Sequence, residues 1–189
     1  GSEVTPYSSL TNDGKGTKQS ISGPALFPKI AFLDGKYMKN LPQEVTVNTA
    51  IDAVSHAVEG MLSVRADALT DALARESLAS LLGEYGSLLR GEYSPASRQN
   101  LLYGAAVAGM VIANTGTSPV HSLGYSLTYY RGIAHGRANG LILPAFLELC
   151  SRKAPQLTAR VISALGMTPD EFSGEIAALL GERERFTDA

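Results

Sequence analysis

The chain has little of several things that narrow what a protein can be. Its 189 residues hold one cysteine, three histidines and no tryptophan, and only 18% are charged. A lone Cys150 excludes an internal disulfide, so a reducing, cytoplasmic setting is expected. Inside "FLELCSRK" it reads as a small buried hydrophobe rather than a reactive thiol. A net charge of −2 supplies neither the basic footprint of a nucleic-acid binder nor a polybasic face for anionic lipid. No apolar run approaches the roughly 18 residues of a membrane span, and no secretory leader is visible. Repeats and low-complexity segments are also lacking. The hydrophobic fraction of 44% describes an ordinary globular chain with one sizeable core, or one domain and part of another. There is no initiator methionine, and "GERERFTDA" stops directly after a helical pattern, so the expectation is a piece of a longer protein.

What is present divides near residue 42. In residues 1–41, "EVTPYSSLTND", "KQSISG" and "KIAFLD" are short, rich in Val, Thr, Ser and Ile, and separated by the turn signals "DGKG" and "GPALFP". They predict three strands of a mixed sheet, with Ile30, Ala31, Phe32 and Leu33 the most buried. Three strands without a covering helix cannot close a domain, so this region reads as the edge of a sheet. Residues 42–189 predict an all-helical domain. Leu78, Leu81, Leu82, Tyr85, Leu88 and Leu89 form one apolar stripe at helical spacing. Ser94-Pro95 reads as a cap and first helical residue, opening an apolar, central helix whose Gly104 and Gly109 admit a neighbour. Thr168 to Glu171 matches a capping box, with Phe172, Ile176, Leu179 and Leu180 on the buried face. The fold class expected is mainly α with a few strands at the start.

The scarce histidines carry the functional signal. Asp52 and His56 stand four apart in "NTAIDAVSHAVEG", on one face of a predicted helix. His121 follows Pro119 and His135 precedes Gly136, each at an expected helix start. One carboxylate and three imidazoles make a four-ligand set suited to Fe(II) or Zn(II). The competing reading stays open at this point. His56 also fits a core histidine bonded to a backbone carbonyl, and His121 and His135 fit capping or solvent-facing residues.

These residues lie in segments that resemble the iron-containing (group III) alcohol dehydrogenases, whose fold is that of dehydroquinate synthase. "GSEVTPYSSLTND", "AFLD", "NTAIDAVSHAVEG", "AGMVIANTGTSPVHSLGY" and "HGRANGLILP" resemble family signatures, in order, along nearly the whole chain. On this resemblance Gly1-Ser2 is native sequence rather than a vector remnant. The resemblance implies that Asp52, His56, His121 and His135 are metal ligands. It also implies that Lys18 lies near the nicotinamide end of NAD or NADP and that Thr5 is in the segment lining that site. Without it, Lys18 reads as a solvated turn lysine and Thr5 as a strand residue. Two positions depart from the family pattern. A further histidine near the substrate is replaced by Tyr125, which can donate a hydrogen bond or relay a proton but does not titrate near neutrality. The proline common before the last ligand is Ala134. A glycine-rich pyrophosphate loop is absent, so an N-terminal nucleotide-binding domain, and a terminal helical stretch, are expected outside this chain.

The activity implied is hydride transfer between a primary alcohol or aldehyde and NAD(P), with Tyr125 as the catalytic side chain on the substrate side and a homodimer as a possible assembly. Three other readings accompany it. A dehydroquinate synthase-like lyase needs several cationic side chains about a phosphate, and "HGRANG" offers only Arg137. A metal-dependent hydrolase would use the same ligands without a nicotinamide site. A helical metal-binding module, inactive as an isolated fragment, is the last.

Overall fold

The computed structural model describes residues 1–181. Strands β1 (Tyr7–Asn12) and β2 (Thr17–Ser22) form an antiparallel hairpin in the register Tyr7↔Ser22 to Asn12↔Thr17. The "DGKG" signal makes its turn. The Asn12 side chain accepts from the Lys15 amide at 3.1 Å, and Gly16 takes the left-handed conformation that closes the loop.

The third strand does not form among the described residues. Residues 29–34 run as irregular chain, and Ile30 and Phe32 are 70% and 86% exposed instead of being the most buried. A strand needs a neighbour to take its backbone N–H and C=O groups. The hairpin is two-stranded, and no described segment pairs with residues 29–34. The first stretch also starts later than expected, because Ser2–Val4 is a 3-10 turn.

Among the described residues eight helices follow: α1 (Gln43–Leu62), α2 (Ala68–Leu82), α3 (Tyr85–Arg90), α4 (Pro95–Thr115), α5 (Pro119–Arg131), α6 (His135–Lys153), α7 (Pro155–Leu165) and α8 (Pro169–Leu180). Both predicted caps hold. The Ser94 hydroxyl accepts from the Ser97 amide, and Thr168 and Glu171 exchange the two bonds of the box. The leucine stripe is broken into α2 and α3 at Gly83, and Leu89 is half-exposed. The helix packed against the most neighbours is α1, which touches α2, α4, α6, α7 and α8, whereas α4 leaves Tyr103 and Met110 exposed. Gly104 admits α2, since a Cβ there would lie 2.8 Å from Leu81 Cγ, while Gly109 admits the 3-10 turn at Gly1 rather than a helix. The core runs through Ile51, Val58, Leu78, Leu143, Val161 and Phe172, all nearly inaccessible. Truncating a side chain such as Phe172 in that setting costs about 3–5 kcal/mol. Cys150 is half-buried, and burial raises its thiol pKa.

The helical domain thus hangs on α1, and α1 carries the first two residues of the site.

Candidate metal centre

Asp52 and His56 face the same side of α1, one turn apart, as the spacing predicts. The other two histidines open their helices. His121 is the third residue of α5 and His135 the first of α6. The chain enters α6 through Ala134 at φ −55, a value proline also adopts, so the departure from the family pattern leaves the backbone path unchanged.

All three imidazoles turn an Nε2 toward the Asp52 carboxylate. His56 Nε2 lies 3.7 Å from Oδ2, and the Nε2 atoms of His121 and His135 lie 3.5 and 3.6 Å from Oδ1. Donor atoms of Asp52, His56 and His121 all fall within 4.8 Å of one another, while His135 reaches Asp52 from outside that trio. Donors about 2.1 Å from a tetrahedral ion stand about 3.4 Å apart. His121 is 3% exposed, and its Nε2 is buried without a hydrogen-bond partner. A buried imidazole nitrogen bonded to nothing, beside a carboxylate and two other imidazoles, suits a divalent transition ion. The residues therefore fit the metal that the resemblance implies.

The electrostatics agree. Burial works against ionisation of Asp52, but the neighbouring His56 charge and a contact with His121 outweigh it and hold the carboxyl well below its usual range. Burial pushes His56 down to about 4, so it is neutral and able to ligate. Burial works against protonation of His121, but its contact with the Asp52 carboxylate and its bond to Glu59 outweigh it and lift the ring to about 9.

Two residues of the site escaped the sequence reading. Glu59 is fully buried, and its Oε1 accepts from the Ser118 amide at 2.9 Å, the Ser118 hydroxyl at 2.6 Å and the Val120 amide at 3.1 Å, while Oε2 bonds His121 Nδ1. Its signal was its place seven after Asp52 and three after His56, on the same face of α1. Asn139, also fully buried, donates its Nδ2 to Asp52 Oδ1 at 2.8 Å and stands 3.3 Å from His135 Nε2. Its spacing of four from His135 could have marked it. Close glycine contacts let these groups meet. A Cβ on Gly124 would lie 2.2 Å from Asn139 Oδ1, and one on Gly136 would lie 1.9 Å from the Asn48 carbonyl oxygen.

A cavity of about 460 Å³ opens beside the cluster. Asp52, His56, His121 and His135 form one side, and Thr5, just before the hairpin, lines it with Tyr7 and Ser20 of the hairpin and Tyr125 of α5. Tyr125 stacks on His135 with ring centres 5.4 Å apart. Lys18 lies two residues before Ser20 on β2, half-buried and outside the lining, although its charge is felt at His135. Arg137 occupies a different recess, with Gln43, Glu44 and Asn48.

A helical domain that brings one carboxylate and three imidazoles together beside a cavity is the arrangement anticipated from the motifs. Residues 46–182 match the Fe-containing alcohol dehydrogenase family, C-terminal, and the chain belongs to that family. It is 32% identical to the 1-propanol dehydrogenase of Salmonella typhimurium over 95% of its own length and 49% of that protein's. It is 30% identical to maleylacetate reductase 1 of Rhodococcus opacus over 89% of the chain and 46% of the relative. The iron-containing alcohol dehydrogenase structure from Thermotoga maritima superposes with a TM-score of 0.83 at 36% identity, over 98% of this chain and 50% of that one. The chain spans about half the length of the curated relatives it matches.

Proposed function

We propose that this chain is the metal- and substrate-binding part of an NAD(P)-dependent oxidoreductase acting on primary alcohols or aldehydes. Three imidazole Nε2 atoms directed at Asp52, one of them buried and unpartnered, carry the reading. Asp52, His56, His121 and His135 would hold Fe(II) or Zn(II). Such an ion supplies Lewis-acid stabilisation of negative charge on the alcohol or carbonyl oxygen.

The chain's own residues do the rest. Asp52 and the imidazoles line one side of the cavity and would hold the ion there, with Thr5 and the hairpin on the opposite lining available to substrate and cofactor. Tyr125 presents its hydroxyl from α5 to the same space and is the candidate to donate to the substrate or pass a proton to solvent. The nicotinamide would enter along Thr5, with Lys18 close to the cofactor. The nucleotide's phosphates need a glycine-rich helix start, which this chain does not supply and a further domain would. The cofactor carries the redox chemistry, and the protein fixes distance and charge.

A dehydroquinate synthase-like reading is less well supported, because Arg137 is turned away from the cavity. A module that binds metal without turnover predicts the same metal content and no activity. Metal analysis of the purified chain tests the shared core of these readings. One divalent ion per chain is expected, with loss in His121→Ala and His135→Ala, and full occupancy in both variants would overturn the ligand assignment. NAD(P)H formation from primary alcohols by the full-length protein then separates dehydrogenase from module.

A further inference from the structure

Glu59 has no access to solvent, and both of its oxygens are committed. Oε1 gathers three donors at the start of α5, two from Ser118 just before it and one from Val120, and Oε2 meets His121 Nδ1. A carboxylate can only accept, so the Nδ1 beside it must carry the proton. In the neutral ring that binding a cation requires, the lone pair of His121 is then on Nε2, the atom 3.5 Å from Asp52. The opposite tautomer would set a nitrogen lone pair against a carboxylate oxygen and point an N–H into the three-residue cluster.

We propose that Glu59 is a positioning residue that locks His121 in the Nδ1–H form and so presents Nε2 as a ligand. The inference rests on the reading of His121 as a metal ligand. The lock depends on the helix start. Amides of Ser118 and Val120 hold Oε1, which leaves Oε2 no freedom to turn from the ring. Ligating histidines commonly need such a partner to fix their tautomer and orientation. Here the partner is the same carboxylate that caps the ligand's helix, so ring orientation and helix start are set together.

Glutamine separates this role from capping alone. Its one amide oxygen must face the three donors at the start of α5. Its NH₂ then points at His121 Nδ1, which has to accept, and the proton moves to Nε2. The shape is nearly unchanged and the ligand is blocked.

The test uses Zn(II) with the purified chain, reading affinity by chelator competition and the His121 ring by ¹⁵N NMR. In the Zn(II)-loaded parent, His121 should keep a slowly exchanging proton on Nδ1. Glu59→Gln should bind Zn(II) about 10–100-fold more weakly. Ser118→Ala, which removes one donor from the cap, should lower the thermal midpoint but leave affinity within about threefold of the parent. Equal losses in Glu59→Gln and Ser118→Ala would reduce Glu59 to a cap and overturn the proposal. So would parent-like affinity in Glu59→Gln alongside a metal-deficient His121→Ala. Parent-like affinity in His121→Ala would instead remove the ligand reading beneath it. If Glu59→Gln does not fold, the parent spectrum still decides, since a His121 bound through Nδ1 contradicts the lock.

Discussion

The Tyr125 hydroxyl lies 3.0 Å from the Ser20 hydroxyl, which ties α5 to the hairpin across the mouth of the cavity. The same ring stacks on His135, so Tyr125 touches His135 on one face and the hairpin at its tip.

On the proposed function, with Tyr125 donating to the substrate, Tyr125→Phe should lower kcat/KM of the complete protein. One hydrogen bond is worth about 0.5–1.5 kcal/mol, which corresponds to roughly three- to tenfold. Ser20→Ala removes the hydroxyl's partner and leaves the hydroxyl, so it should cost less than half of that in kcal/mol terms. Tyr125→His should be tolerated and should add a pH dependence near neutrality. An unchanged kcat/KM for several primary alcohols in Tyr125→Phe would make Tyr125 a packing residue.

Gly136 sets how closely the first turn of α6 approaches α1. An added Cβ would meet the Asn48 carbonyl oxygen at 1.9 Å and Asp52 Cβ at 3.0 Å, and neither can swing aside as a side-chain end would. Gly136→Ala should destabilise the protein by about 1–3 kcal/mol, despite the better helix propensity of alanine. The adjacent His135 moves with it, so Zn(II) affinity should fall as well. Thermal melts and metal titration read the two effects, and a stabilised variant would contradict the close contact.

Stability of the metal-free protein should peak near pH 6.5. His121, raised to about 9 from an ordinary 6.5, contributes stability fully present below pH 6.5 and lost as pH climbs through 9. His56 has the opposite sign. Its value is pushed down to about 4 by burial, so its contribution is complete above pH 6.5 and is lost as pH falls toward 4. Melts across pH 4–10 should show both limbs, and His121→Gln should flatten the alkaline one. An alkaline limb that survives in this variant would place its origin elsewhere.

On the proposed function, this chain by itself should bind NAD(P) weakly or not at all, because its sequence carries no glycine-rich phosphate-binding loop. Calorimetry showing low-micromolar affinity would contradict this. In the full-length protein, Lys18→Ala should raise the apparent KM for NAD(P) and leave metal content intact.

Features set by near neighbours were legible in the sequence. The caps at Ser94 and Thr168 work over three residues, and the Asp52–His56 spacing is a property of a single helix. Features that depend on distant partners were not. Ile30 and Phe32 read as buried because strand-like composition does not say whether another strand lies alongside. Glu59 looked like one more charged residue of α1, since its partners begin 59 positions later and meet it only when α5 docks. The break at Gly83 was hidden because the leucine periodicity runs on across it. Lys18 and Thr5 came from resemblance alone, and the structure brings only Thr5 to the cavity wall.

Helix α5 buries only Val120, His121 and Gly124, a thin hold for 13 residues. Its first turn is held from α1, where Glu59 grips the backbone and His121 enters the cluster. Such a helix opens as a unit more readily than α1 or α4, and its amides should exchange with solvent deuterium sooner. An ion bridging His121 to α1 would act as a clasp on that opening, so occupancy of the site would be written in the exchange rates of α5 and much less in those of the helices behind it.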